Sequence, residues 1–200
     1  MNRENNFEKA YKYTNRNEGH GWSKHPDDRG GLTYAGISEK QNKDWEGWST
    51  IKAIMSEDRQ PNSQEYQLLN HLHRNFFLET YWKGIKGDYL AKALAIQVYD
   101  AAVNVGTWQA SLFLQVALNK ANRNDHYYGD VVEDGVIGAQ TTAACEAAEK
   151  NGLQQLLMHL FTTQLSYFYM QIMENDPTQE VFCKGWILRA FRAIQDARSL

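Results

Sequence analysis

The stretch from Glu18 to Ile37 reads Glu-Gly-His-Gly-Trp-Ser-Lys-His-Pro-Asp-Asp-Arg-Gly-Gly-Leu-Thr-Tyr-Ala-Gly-Ile and gathers several groups capable of acid–base work. Hydrolysis of a glycosidic bond needs one carboxylic acid to protonate the leaving oxygen. It also needs a second group, usually a carboxylate, across the sugar ring. Glu18 is a candidate acid, Asp27 and Asp28 are candidate second carboxylates, and the Thr33 hydroxyl can hold a water. Gly30, Gly31 and Gly36 mark turns where backbone can approach a substrate closely. Taken singly, each of these residues reads as an ordinary surface or turn position. Their spacing as a set argues for chemistry.

Other chemistries find less support. His20, His25, His71 and His73 are candidate zinc ligands for an amidase. No HxxxH or HExxH pair lies on a helix, however, and His71 and His73 point to different helix sides. Cys145 and Cys183 sit in helical, apolar surroundings with no nearby histidine, which suits reduced structural thiols rather than a nucleophile.

The elements that must carry the candidate site follow from periodicity. Phe7, Ala10, Tyr11 and Thr14 recur at helical spacing, predicting an amphipathic helix over 5–17 that delivers Glu18 at its C-terminal end. Glycines and Pro26 exclude a helix over 19–36 and suggest a loop or small hairpin. Asn62-Ser-Gln-Glu65 reads as a capping box opening a long helix, with Leu69, Leu72, Phe76 and Tyr81 on its apolar side. Gly84 and Gly87 break that pattern. Helices then run through Leu94, Val98 and Ala102, and through Leu112, Val116 and Leu118. A polar loop spans 120–138, and further helices are expected near 139–150, 152–174 and 185–197. No strand-length alternation occurs beyond the first forty residues. The fold class is therefore mainly α, with a small β or irregular insertion near 19–36. The softest point is Gly84–Asp88, which divides a region 1–87 from a helical region 88–200; no flexible linker is present, so the two are expected to pack together.

The composition fits a globular chain: 42% hydrophobic, 22% charged, net charge −3, with no basic stripe to suggest a nucleic-acid partner. Six Trp and eleven Tyr suit a core, but aromatics also wall sugar-binding clefts. The N-terminus carries no apolar run resembling a signal peptide, and no stretch reaches membrane-span length. The expectation is a monomer made in the cytoplasm, without membrane insertion, that acts on its substrate after release or export.

The ordered motifs resemble a known family. Glu18-Gly followed by Asp28-x-Gly-Gly-x-Thr33-x-x-Gly36-Ile is similar to the N-acetylmuramidases of glycoside hydrolase family 108. Tyr81-Trp82 and Asp100-Ala-Ala-Val-Asn104-Val-Gly106 extend that likeness. Asp134-Gly-Val-Ile-Gly138-Ala-Gln-Thr141 and Lys184-Gly-Trp186-Ile-Leu-Arg189 resemble the peptidoglycan-binding-like region that accompanies it. The resemblance implies a lysozyme-like helical fold and glycan strands of peptidoglycan as substrate. The bond cut would be the β-1,4 linkage between N-acetylmuramic acid and N-acetylglucosamine, with Glu18 as general acid and no metal or cofactor. Trp22, Tyr34, Tyr81 and Asn104 become candidate substrate contacts, and Trp82 and Trp186 read first as core. One residue is inserted after Glu18-Gly relative to the family pattern. Counting back from the glycine turn selects Asp28; counting forward from Glu18 selects Asp27 and matches the Glu–Asp–Thr spacing of phage-type lysozymes. That spacing suggests a positioned water and inversion. A lytic transglycosylase and a non-catalytic wall-binding protein are the competing readings.

Overall fold

The computed structural model describes residues 4–15, 22–23 and 32–196. The chain falls into two compact units, Thr14–Glu79 and a larger one made of Thr80–Leu200 with Met1–Tyr13.

In the larger unit, α1 (Glu4–Thr14) buries Phe7, Ala10 and Tyr13, and leaves Tyr11 half-buried. Residues 16 and 17 of the predicted 5–17 lie outside the described residues.

The smaller unit carries the predicted insertion as three antiparallel two-residue strands: β1 (Trp22–Ser23), β2 (Thr33–Tyr34) and β3 (Ile37–Ser38). Trp22 pairs with Tyr34 and Thr33 with Ser38. Behind them lie α2 (Gly47–Ser56) and α3 (Ser63–Phe77). The capping box forms as predicted. Asn62 Oδ1 accepts from Gln64 N and Glu65 N at 3.0 Å, and Asn62 N donates to Glu65 Oε2 at 2.9 Å.

The buried stripe of α3 differs from the predicted one. Leu69, His73 and Phe77 face the core at i, i+4, i+8, while Leu72, Phe76 and Tyr81 are only half-buried. A π-helical turn, Leu78–Trp82, follows directly. Its wider winding shifts the register by a residue, so Trp82, 1% exposed, enters the core in place of Tyr81.

Residues 84–88, where the sequence suggests a boundary, lie within the larger unit. Ile85 and Leu90 are buried there, and a Cβ on Gly87 would meet the Trp82 ring at 2.6 Å. After a 3-10 turn come α4 (Lys92–Val105), α5 (Thr107–Ala121), α6 (Ala139–Lys150), α7 (Gln154–Asn175) and α8 (Cys183–Asp196). These match the helices expected from periodicity, and the fold is mainly α. α4 is buried almost all round and packs on α5, α7 and α8. Its Gln97 Nε2 donates to Thr162 Oγ1 at 2.7 Å and to Met158 O at 3.1 Å, tying it to α7 inside the core. On α5, Leu118 is buried, but Leu112 and Val116 are half-buried, because Phe113 and Leu114 take the inward face. Among the described residues no helix is long and apolar enough to cross a membrane.

Candidate active site and its relatives

Glu18, Asp27, Asp28, Gly30 and Gly31 lie outside the described residues, and so does the side chain of Trp22. The described part of the candidate site is the β2–β3 hairpin. Its turn, Ala35-Gly36, has φ values of 42° and 86°. Two successive positive φ angles give the hairpin twist that matches the flanking strands, and only Gly36 adopts such an angle without strain. Ala35 is held there from outside. His73 Nε2 donates to its carbonyl at 2.9 Å, while the imidazole stacks on Phe77 with ring centroids 4.4 Å apart. His73 is thus a pin between α3 and the hairpin tip, with its ring nitrogen already occupied.

Strand alternation separates the two residues of β2. Tyr34, 3% exposed, turns inward and stacks on Trp45 at 5.7 Å, with its edge toward His73. Burial, with Tyr66 nearby, holds its phenol above the usual value. That enclosure fits a supporting role for Tyr34 rather than contact with a substrate. Thr33 takes the other face and stays half-exposed. Trp45 in turn meets Trp48 edge-on at 5.0 Å, and Trp48 Nε1 donates to Asn42 O at 2.6 Å. An aromatic wall therefore fixes the strand that carries Thr33.

The remaining candidates belong to the larger unit. Tyr81 is half-buried in the π-helical turn. Asn104 is exposed at the end of α4, where Tyr169 Oη donates to its Oδ1 at 2.7 Å. Desolvation pushes the Tyr169 phenol up to about 12, so it remains a donor at any ordinary pH. The same ring stacks on Trp186 at 5.1 Å, and Trp186 stacks on Phe182 at 5.6 Å. Beside them Arg189 forms a two-pronged pair with buried Asp100, at 2.9 and 3.0 Å. The Asp100–Asn104 and Lys184–Arg189 motifs thus meet in space, which spacing alone does not reveal.

The Asp134–Thr141 motif folds as a turn feeding α6. Gln115 clamps it: its Nε2 donates to Asp134 Oδ1 at 2.8 Å and Val136 O at 3.1 Å, and its Oε1 accepts from Gly135 N at 2.8 Å. The Gln115 hydrogen bond first, and the Val136 N–H second, hold the Asp134 carboxyl below its ordinary value. A pocket of about 680 Å³ opens between the α4 start and α6, lined by Asp88, Tyr89, Lys92, Glu146 and Glu149 among others. Its lining includes none of the site residues expected from sequence. Both cysteines are free, and burial pushes the Cys145 thiol up to about 12, which fits an inert core residue.

Residues 11–106 match the family described as "Glycosyl hydrolase 108", and residues 109–191 match one described as "Predicted Peptidoglycan domain". Residues 11–106 thus carry a family 108 glycosyl hydrolase domain. The chain is also similar to the solved structure of Brucella abortus SagA. Identity is 25%, the TM-score is 0.66, and the match covers 98% of this chain and 95% of that one. No curated protein sequence matches it. A glycosidase domain followed by a peptidoglycan domain makes the protein a peptidoglycan hydrolase.

Proposed function

We propose that the protein is an N-acetylmuramidase, cutting the β-1,4 bond between N-acetylmuramic acid and N-acetylglucosamine. Glu18 is the general acid, and Asp28 or Asp27 acts with Thr33 to position the attacking water. The observation that carries this reading is the succession of family matches, a glycosidase over 11–106 and a peptidoglycan domain over 109–191. The hairpin supports it, since Thr33 stands on the less buried face of a strand pinned by His73 and the aromatic wall. Trp22, Tyr81 and Asn104 are proposed substrate contacts. Water attack inverts the anomeric centre, and its two carboxyls should stand about 6.5–9.5 Å apart, against about 5–5.5 Å for a covalent route.

The test is mass spectrometry of digested peptidoglycan. Reducing-end muramic acid is expected; anhydromuramic ends would mean a transglycosylase, and freed stem peptides an amidase. Glu18→Gln keeps the shape and removes the proton, so turnover should fall at least about a hundredfold in a folded protein. Near-normal turnover would overturn the assignment of Glu18. Asp27→Asn and Asp28→Asn, compared side by side, then show which aspartate holds the water. NMR of the first-formed anomer reads the stereochemistry: α supports inversion and β would show retention.

A further inference from the structure

Trp108 opens the first turn of α5 and is 57% exposed, although indole is the largest side chain a protein can bury. The ring is held rigidly. Its Nε1 donates to Asp134 O at 3.0 Å, and a Cβ on Gly135 would meet Nε1 at 2.4 Å and Cδ1 at 2.5 Å, so that backbone lies against the indole. Gly135 has φ +74°, a conformation that favours glycine, and its N–H is held by Gln115. The loop is thus shaped to fix an exposed ring rather than to cover it. Val132 and Val136 on the same loop are also exposed, at 64% and 62%.

Two carboxylates near the ring, Glu133 and Asp134, accept from internal donors. Asp134 Oδ1 accepts from Gln115 Nε2 and from Val136 N, both at 2.8 Å, and Glu133 Oε1 accepts from Asn119 Nδ2 at 3.0 Å. These bonds orient the carboxylates without removing their charge, and beside them Trp108, Val132 and Val136 form a pre-ordered apolar surface. The C–H faces of pyranose rings stack on flat aromatics while their hydroxyls stay wet. A fixed platform binds with little entropic cost, because nothing needs ordering on contact.

We propose that Trp108 is a glycan subsite of the peptidoglycan domain, stacking against a sugar ring of the strand through its exposed indole surface. This rests on peptidoglycan being the substrate. It adds a site at the seam between the two family matches, in residues that the family motifs do not assign. The apolar ring supplies contact area, while the Nε1 bond supplies only orientation.

The experiment uses the full chain, with chitohexaose as the soluble probe by calorimetry in the cold and purified sacculi by co-sedimentation. Trp108→Ala and Trp108→Leu should both weaken chitohexaose binding about tenfold, the loss expected when one stacked ring of ~1.4 kcal/mol is removed. Trp108→Phe loses the Nε1 bond but keeps a ring, and should retain most of the binding. Sacculus retention should follow the same order. If Trp108→Ala does not fold, the Leu and Phe variants carry the comparison, each checked by its melting curve. Binding equal to the parent in the Leu variant would overturn the proposal. So would equal losses in the Leu and Phe variants, which would make the hydrogen-bond clamp the active feature. Product analysis of the parent chain judges the hydrolase reading separately, so failure of one is not failure of the other.

Discussion

At the scale of single residues, side chains with two tasks set the local chemistry. Glu65 closes the capping box of α3 and receives Arg59, whose Nη1 and Nη2 lie 2.7 and 2.8 Å from its oxygens. The Arg59 hydrogen bonds first, and the Asn62 N–H second, hold its carboxyl down at about 2. The folded value lies below the unfolded one, so the stabilisation is complete above the ordinary carboxylate range near ~4.3 and is lost as pH falls toward that lower value. Urea denaturation of the parent and Glu65→Gln should therefore show a stability gap at pH 6 that closes by about pH 2. A gap constant with pH would contradict the pairing. The candidate site shows how unevenly such roles can be read from sequence. Thr33 and Gly36 are legible because a strand and a turn declare themselves over a few residues. The Ala35–His73 pin joins residues far apart in the chain, and the Trp108–Asp134 clamp likewise has no local signature. Glu18 and the two aspartates rest on the motif, because they fall outside the described residues.

At the scale of elements, backbone geometry decides which glycines matter. Gly106 both ends α4 and opens α5 with φ +89° and ψ 152°, and a Cβ there would meet nothing within 4 Å. Its constraint is conformational rather than steric. Gly106→Ala should cost about 1–3 kcal/mol from backbone strain alone. Gly185, inside α8, also has open space around an added Cβ, but its backbone is helical. Gly185→Ala should therefore stabilise by about 0.5–1 kcal/mol, through reduced freedom of the unfolded chain. Thermal melts of the two variants moving in the same direction would contradict this reasoning. The element pattern was mostly open to sequence reasoning. The helices after residue 88 have apolar periodicity along their length, and Asn62 with Glu65 announces its own helix start. Trp82 takes the place expected for Tyr81 because a π-helical turn leaves no trace in a 3.6-residue period, while before that turn the buried line runs Leu69, His73, Phe77 rather than through Leu72 and Phe76. α5 shows a related limit: a helix buried on several sides has no single apolar face to find.

At the scale of the molecule, the two family matches divide the chain near residue 107, whereas the packing does not. α4 lies within the glycosidase match and α5, α7 and α8 within or beside the peptidoglycan match, yet the four helices share one core. Asp100 on α4 pairs with Arg189 on α8, Gln97 on α4 bonds Thr162 on α7, and Asn104 accepts from Tyr169. A fragment of residues 107–200 would keep the whole peptidoglycan match and lose every one of these partners. It would also uncover the apolar faces that α4 now covers with Leu94, Val98, Ala101 and Ala102. Exposing even three large apolar side chains forfeits roughly 5–9 kcal/mol. The entire stability of a domain is only about 5–15 kcal/mol. The fragment is accordingly expected to lack a cooperative melting transition by calorimetry and to give poorly dispersed amide spectra, while the full chain melts cooperatively. A fragment that unfolds in one sharp transition within a few degrees of the parent would show instead that the peptidoglycan domain is self-sufficient and that α4 merely leans on it.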